Sequence, residues 1–167
     1  MAVFLKTKGL FLRNLEPEDA QVLFAYRNDP QCAKYQRWED TSMEAVRRLI
    51  DMAREDVFLS EKEEQHYAIY NKEGLAGDLS YFYTEGDYCV TLGITIVPEL
   101  QRRGCAFEML KAVVQAVQER YPALDIVALI DRENTPSLAL FEKLGFYREC
   151  YAESIGSYVY VIDGKRE

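Results

Sequence analysis

Six residues, Gln101-Arg102-Arg103-Gly104-Cys105-Ala106, stand between a strand-like run, VTLGITIVP, and a helix-like run, FEMLKAVVQAVQERY. A strand that enters a helix through a glycine-bearing loop presents unpaired backbone N–H groups and the positive end of a helix dipole. Together these attract an anion. Gly104 permits close approach, Ala106 keeps the helix start small, and Arg102 and Arg103 add charge. That combination suits a phosphate or pyrophosphate. A glycine at such a junction also suits a plain turn, and the residues alone leave both readings open. Neither GxxxxGK[ST] nor GxGxxG occurs, so a P-loop nucleotidase and a dinucleotide fold are not supported.

The other reactive side chains have bland roles by default. Cys105 has no histidine nearby in sequence, which argues against a covalent intermediate. His66 is the single histidine and reads as structural, Glu85 and Asp87 fall in a solvated turn, and Tyr81, Tyr83, Tyr158 and Tyr160 read as strand core or rim. Four cysteines (Cys32, Cys89, Cys105, Cys150) without a CxxC pair give neither a disulfide framework nor a metal site. They suit reduced thiols in a cytoplasm.

The elements that must hold the junction follow from periodicity. With 167 residues, 49% hydrophobic and 13% aromatic, the chain reads as one packed domain over residues 1–167. No apolar run is long enough to cross a membrane, and the N-terminus lacks the pattern of a signal peptide. A net charge of -8 disfavours nucleic acid and anionic membranes as partners and favours cationic ones. A strand is expected over KGLFLRNL, then a helix over EPEDAQVLFAYRNDP that Pro30 stops. Thr41 and Glu44 have capping-box spacing before a second helix whose apolar face is Val46, Leu49, Ile50 and Ala53. The long connection QCAKYQRWED reads as a binding loop. HYAIYN, LAGDLSYFYT and YCVTLGITIVP form an antiparallel meander, and in the last run Cys89, Thr91, Gly93 and Thr95 make one small-residue face. A helix through Tyr121 precedes DIVALID, expected to pair in parallel; NTPSLALFEKLGF is a helix and a C-terminal hairpin closes the chain. The class is α/β (α+β), a mixed sheet flanked by helices.

QRRGCA is similar to the Q/R-x-x-G-x-G/A acyl-CoA loop of the GNAT acetyltransferases, and it lies after the fourth predicted strand and before the third predicted helix. The run from Asn134 to Phe146, N-x-x-S-x-x-x-x-E-K-L-G-F, resembles a downstream motif of that family. The opening LFLRNLEPEDAQVLFAYRNDP resembles the RimJ/RimL-type branch, which modifies protein N-termini and other amines. The resemblance covers nearly the whole chain and implies a GNAT-like, mostly antiparallel sheet with acetyl-CoA as co-substrate. It implies that Gln101, Arg102, Arg103, Gly104, Cys105, Ala106 and Phe107 hold the pyrophosphate. It implies that the strand edge from Ile94 through Ile96 to Val97 pairs with the pantetheine arm, with the Ile96 N–H near the thioester oxygen. Asn134 would bond the pantetheine.

Many family members carry a tyrosine acid where this chain has Phe141, which cannot donate a proton. Ser137 matches a serine of the RimJ/RimL-type branch and is the candidate proton donor or thiol-positioning group; its alternative is a hydroxyl that caps the helix. Glu108 matches an acid common in that branch, but also suits the helix dipole. The resulting expectation is an acetyl-CoA-dependent N-acetyltransferase acting on a small-molecule or peptide amine: a peptide N-terminus, a polyamine or an aminosugar. A catalytically silent acyl-CoA-binding module is the alternative. Tyr35 and Trp38 would line the acceptor cleft, Glu39 and Asp40 would draw in an ammonium group, and homodimer formation stays open.

Overall fold

The computed structural model describes residues 2–166. Eight strands form one sheet in the order β1-β2-β3-β4-β5-β6-β8-β7. The strand expected over KGLFLRNL is β2 (Phe11–Asn14), with Lys8 and Gly9 in the short turn before it, and a further strand that the sequence reading leaves out, β1 (Val3–Lys6), precedes that turn. A one-turn 3-10 segment, Pro17–Asp19, leads into α1 (Ala20–Arg27). α2 (Pro30–Ala33) and α3 (Met43–Ala53) precede the meander of β3 (Glu64–Asn71), β4 (Gly74–Thr84) and β5 (Cys89–Ile96). α4 (Cys105–Arg120), β6 (Asp125–Asp131), α5 (Thr135–Lys143), β7 (Tyr147–Ala152) and β8 (Ser157–Ile162) complete the chain. The predicted junction therefore follows the fifth strand and opens the fourth helix.

Two expectations are corrected by local chemistry. Pro30 does not merely stop α1: it occupies the start of α2, where a missing N–H costs nothing. Asp29 caps that turn by accepting from the N–H groups of Gln31 and Cys32 at 2.9 and 3.3 Å. The cap of α3 is Ser42, which accepts from Ala45 N–H at 3.1 Å, and not Thr41, whose hydroxyl donates to Asn28 Oδ1.

The sheet has a core on each face. Val90, Leu92 and Ile96 of β5 pack with Met109, Leu110, Val113 and Val117 of α4. On the opposite face Leu23 and Tyr26 of α1 pack with Val46, Ile50 and Ala53 of α3, with Ala68 and Val97 below them. Val46, Ile50 and Ala53 are the predicted apolar stripe of α3, and Leu49 packs at its margin.

All strand pairs are antiparallel except β5 with β6. That parallel pairing runs from Cys89–Asp125 to Thr91–Val127. β5 then continues to Ile96 against β4, and β6 continues to Asp131 against β8. The two strands part, and each carries an unpaired edge into the opening between them.

Candidate active site

The parting of β5 and β6 fixes which backbone groups are free. Val97 N–H donates to the Ala76 carbonyl at 2.9 Å. An antiparallel ladder alternates, so Thr95 and Gly93 also bond to β4, while the N–H and C=O groups of Ile94 and Ile96 point toward β6. The Asp125 N–H to Tyr88 carbonyl bond, 2.9 Å, has the same parity. Ile96 therefore presents its N–H to the opening. Val97, expected on the same edge, has both backbone groups engaged, since its carbonyl accepts from Leu100 N–H at 3.0 Å. Gly77 faces Ile96 across the ladder, and a side chain there would overlap the Thr95 carbonyl, so only glycine lets β4 approach this closely.

At the end of β5 the loop makes a concave backbone surface. Arg102 and Gly104 are both left-handed, with φ of 64° and 82°. For the arginine this conformation costs about 1–2 kcal/mol, a strain that the surrounding structure sustains. The first α4 bond runs from Glu108 N–H to the Gly104 carbonyl at 2.9 Å, leaving the N–H groups of Cys105, Ala106 and Phe107 without intrahelical acceptors. Arg102, Arg103 and Gly104 are exposed, and nothing lies within 4 Å of the place a Gly104 Cβ would occupy. The Lys143 ammonium lies over the Phe107 ring, 4.4 Å from its centroid, and adds a cation that sequence spacing did not reveal. Free N–H groups, a helix dipole and nearby cations are the features with which proteins hold an anion.

The Cys105 thiol is pushed up by burial and then by the Glu108 charge, the opposite of what a nucleophile needs. Glu108 is itself committed, accepting from the Thr7 hydroxyl and from Gly9 N–H at 3.0 Å. Besides suiting the dipole, it ties the β1–β2 turn to α4.

At the other strand–helix turn Asn134 caps α5, its Oδ1 accepting from Ser137 N–H at 3.4 Å. The cap is therefore Asn134, and the half-buried Ser137 hydroxyl takes no hydrogen bond within the described residues. Phe141 is buried and packs edge-on against Phe146, with ring centroids 5.0 Å apart.

The opposite sheet face carries the small residues Thr91, Gly93 and Thr95, all half-buried, beside the loop between α2 and α3. Gln36 Nε2 lies 3.5 Å from Thr95 Oγ1. Arg37 reaches across to the Ile155 carbonyl at 2.6 Å and to the Ser157 hydroxyl. Trp38 lies under the Arg27 guanidinium, 4.8 Å from its ring centroid, and packs onto the helical core. Arg27 pairs with buried Asp78 at 3.7 Å, and Asp78 accepts from the Tyr26 hydroxyl. Burial and then Asp78 push the Tyr26 phenol well up, so it stays neutral. Tyr35 rests against Lys34, 5.2 Å from the ammonium. Asp40 accepts from Ser42 N–H at 3.0 Å and pairs with Arg48 at 3.4 Å. His66 bonds Glu64 at 3.0 Å, two strands away from β5. Among the described residues there is no His/Cys/Asp/Glu cluster able to hold a metal, and no helix long and apolar enough to cross a membrane.

The Acetyltransferase (GNAT) domain family matches residues 9–147. The N-acetyltransferase YnaD of Bacillus subtilis (strain 168), itself uncharacterized, is 23% identical over 145 residues, covering 87% of this chain and 83% of that protein. The crystal structure of a GNAT-family acetyltransferase from Bacillus anthracis superposes with a TM-score of 0.82 at 22% identity, covering 97% of this chain and 98% of that one. The ribosomal L7/L12 alpha-N-protein acetyltransferase RimL, in complex with coenzyme A, superposes with a TM-score of 0.79 at 19% identity, covering 97% and 98%.

Proposed function

The chain belongs to the GNAT acetyltransferase family, and from that premise we propose that it transfers the acetyl group of acetyl-CoA directly onto a primary amine. The observation that carries this reading is the parting of β5 from β6 beside a left-handed, glycine-bearing helix start. One opening offers both an unpaired strand edge and an anion site. Acetyl-CoA has the matching parts, an amide-bearing pantetheine arm and a pyrophosphate.

The backbone from Arg102 through Gly104, Cys105 and Ala106 to Phe107 would hold the pyrophosphate, with Arg102, Arg103 and Lys143 supplying charge. Ile94 would pair with the pantetheine as with an added strand, while Ile96, whose carbonyl accepts from Gln101, would offer only its N–H. Asn134 has its Oδ1 spent on the helix cap, which leaves its Nδ2 to donate to the same arm. Acetyl-CoA supplies an activated thioester. The Ile96 N–H would stabilise negative charge on the carbonyl oxygen as an amine attacks. Ser137, whose hydroxyl is uncommitted among the described residues, would donate a proton to the departing sulfur or orient it.

The acceptor would approach over Thr91, Gly93 and Thr95, beneath the loop that carries Gln36 and Arg37. Primary amines are cationic at neutral pH and suit a chain of net charge -8. A peptide N-terminus is favoured among them by the resemblance of the opening segment to the RimJ/RimL-type branch.

Turnover of acetyl-CoA with a panel of peptides, polyamines and aminosugars, followed by release of free thiol, tests the proposal. Binding of CoA without thiol release for any amine would instead support a silent acyl-CoA-binding module.

A further inference from the structure

Gln101 opens the glycine-bearing loop, yet its side chain turns away from the loop's open surface. Its Nε2 donates to the Ile96 carbonyl at 2.9 Å and lies 3.4 Å from Cys32 Sγ. Its Oε1 accepts from Gln31 Nε2 at 2.9 Å. One half-buried amide thus joins the end of β5, the acceptor-side helix α2 and the first residue of the anion loop.

We propose that Gln101 is a positioning residue for acetyl transfer, one that orients the strand end at Ile96 and couples the cofactor loop to α2. The inference rests on the reading above, in which Ile96 N–H faces the reacting carbonyl. With β5 and β6 parted, the Ile96 carbonyl has no partner in the ladder. A buried carbonyl left unpaired is destabilising and free to tilt. It would also set a negative dipole end beside the place where an oxyanion forms, which opposes the reaction. Gln101 offsets both effects, because its donor is spent on that carbonyl.

The amide suits the position through its two ends. Nε2 serves Ile96 and Cys32, while Oε1 receives Gln31. Glutamate would keep the acceptor end and bring a negative charge against the Ile96 carbonyl. Leucine would keep the volume and remove both bonds. Cys32 fits the same arrangement, since burial pushes its thiol up and keeps it a neutral, weak donor, 3.8 Å from the Ile96 carbonyl. Gln31 lies on the exposed side of α2, so movement of that helix is transmitted through one hydrogen bond to the loop.

The test compares wild type, Gln101→Leu, Gln101→Glu and Gln31→Leu by steady-state kinetics with the best amine of the panel and by calorimetric titration with CoA. One lost hydrogen bond in a transition state corresponds to roughly a 2- to 10-fold change. Gln101→Leu should lower kcat by about that much and Gln101→Glu by more, with CoA affinity held within about twofold in both. Gln31→Leu should raise the acceptor KM with little change in kcat. The Gln31→Leu, Gln101→Leu double variant should fall short of the product of the singles, because both remove one network. Loss of CoA affinity in step with kcat would make Gln101 a phosphate ligand and overturn the proposal. Unchanged kinetics in a Gln101→Leu protein with a lowered Tm would reduce it to a structural residue. If Gln101→Leu does not fold, a Gln31→Leu protein with unchanged acceptor KM overturns the coupling. Wild type that neither binds CoA nor turns over overturns the proposed function together with this inference, whereas an active wild type confines failure to Gln101.

Discussion

The Arg37 guanidinium donates to the Ile155 carbonyl at 2.6 Å, joining the α2–α3 loop to the turn between β7 and β8. The same group meets the Ser157 hydroxyl at the start of β8. The loop is thereby stretched over the small-residue face of β5, where the acceptor is proposed to lie. Arg37→Ala should raise the acceptor KM by about 3- to 10-fold, the equivalent of one or two partly exposed hydrogen bonds. The KM for acetyl-CoA should stay within twofold, because no part of the anion loop is touched. Initial-rate measurements with each substrate varied in turn check this. Equal rises in both constants would mean that the strap supports the whole fold and not the acceptor side.

Gly104 combines a φ of 82° with open space beyond its Cα. Gly104→Val places a branched side chain over the N–H groups of Cys105, Ala106 and Phe107 and imposes a left-handed β-branched residue. CoA should raise the Tm of wild type, through a gain in unfolding free energy of about 2.7 kcal/mol at a hundredfold excess over Kd. The variant should lose most of that gain. Gly104→Ala, with the same backbone strain but a smaller group, should retain more of it, which separates steric exclusion of phosphate from loss of loop shape.

Among the described residues the Ser137 hydroxyl has no hydrogen-bond partner, while Asn134 does the capping. Ser137→Ala should therefore cost little stability and lower kcat by about 100-fold, the lower end of the range for a positioned acid. CoA affinity should change little, since contact with a departing thiolate matters chiefly in the transition state. A solvent-viscosity control establishes that chemistry limits the rate. An unchanged kcat under that condition removes Ser137 from the mechanism.

The parts of this site that a reader of the sequence can find are local ones. Gly104, Asn134 and Ser137 stand at fixed offsets from a strand end or a helix start, and short-range backbone chemistry dictates their types. The alternation of Thr91, Gly93 and Thr95 with Val90, Leu92 and Ile96 likewise predicts two unlike faces, and both are present. What periodicity does not carry is register and reach. Glu108 meets Thr7 across 101 positions, Tyr26 meets Asp78 across 52, and Gln101 meets Gln31 across 70. Each depends on how distant elements stack, so no spacing announces it. The short β1 is hidden differently: four residues at Val3–Lys6 are too few to show a period, and the strand pattern is read only from Lys8 onward. The splitting of QCAKYQRWED was hidden by Pro30, which can end one helix or begin another.

Asp19 has the sequence signature of a residue placed for the helix dipole, but the structure makes it half of a buried ion pair. Arg13 and Asp19 meet at 3.0 Å, each only 1% exposed. Tyr70 donates a further bond to Asp19 at 2.8 Å, and Glu16 N–H another at 2.8 Å. Removing one partner strands a buried charge, so Arg13→Met or Asp19→Leu should each cost about 3–5 kcal/mol by urea denaturation. The double variant should be far less damaging than the two costs added. Additivity would mean that the two charges do not depend on each other.

The sequence pairs Glu39 and Asp40 as two carboxylates facing a cationic acceptor, but their surroundings separate them. Asp40 is held below the usual carboxylate range, first by the Ser42 N–H bond, and it faces Arg48 at 3.4 Å. Its charge is therefore present at neutral pH but largely matched by a neighbour. Glu39 is exposed and has no partner within the described residues. An exposed carboxylate acts on a passing ammonium group over a Debye length, about 8 Å at physiological salt and about 30 Å at 0.01 M. Glu39→Gln should thus raise the acceptor KM severalfold at low salt and hardly at all at 0.5 M. Asp40→Asn should change KM less and act instead through the start of α3, whose Ser42 backbone it supports. Acceptor titrations of both variants at the two ionic strengths decide the matter. A KM for Glu39→Gln equal to wild type at low salt, or an anionic acceptor as the best substrate, removes long-range attraction from the account of specificity. The loop's direct contacts, Arg37 foremost, would then have to carry it.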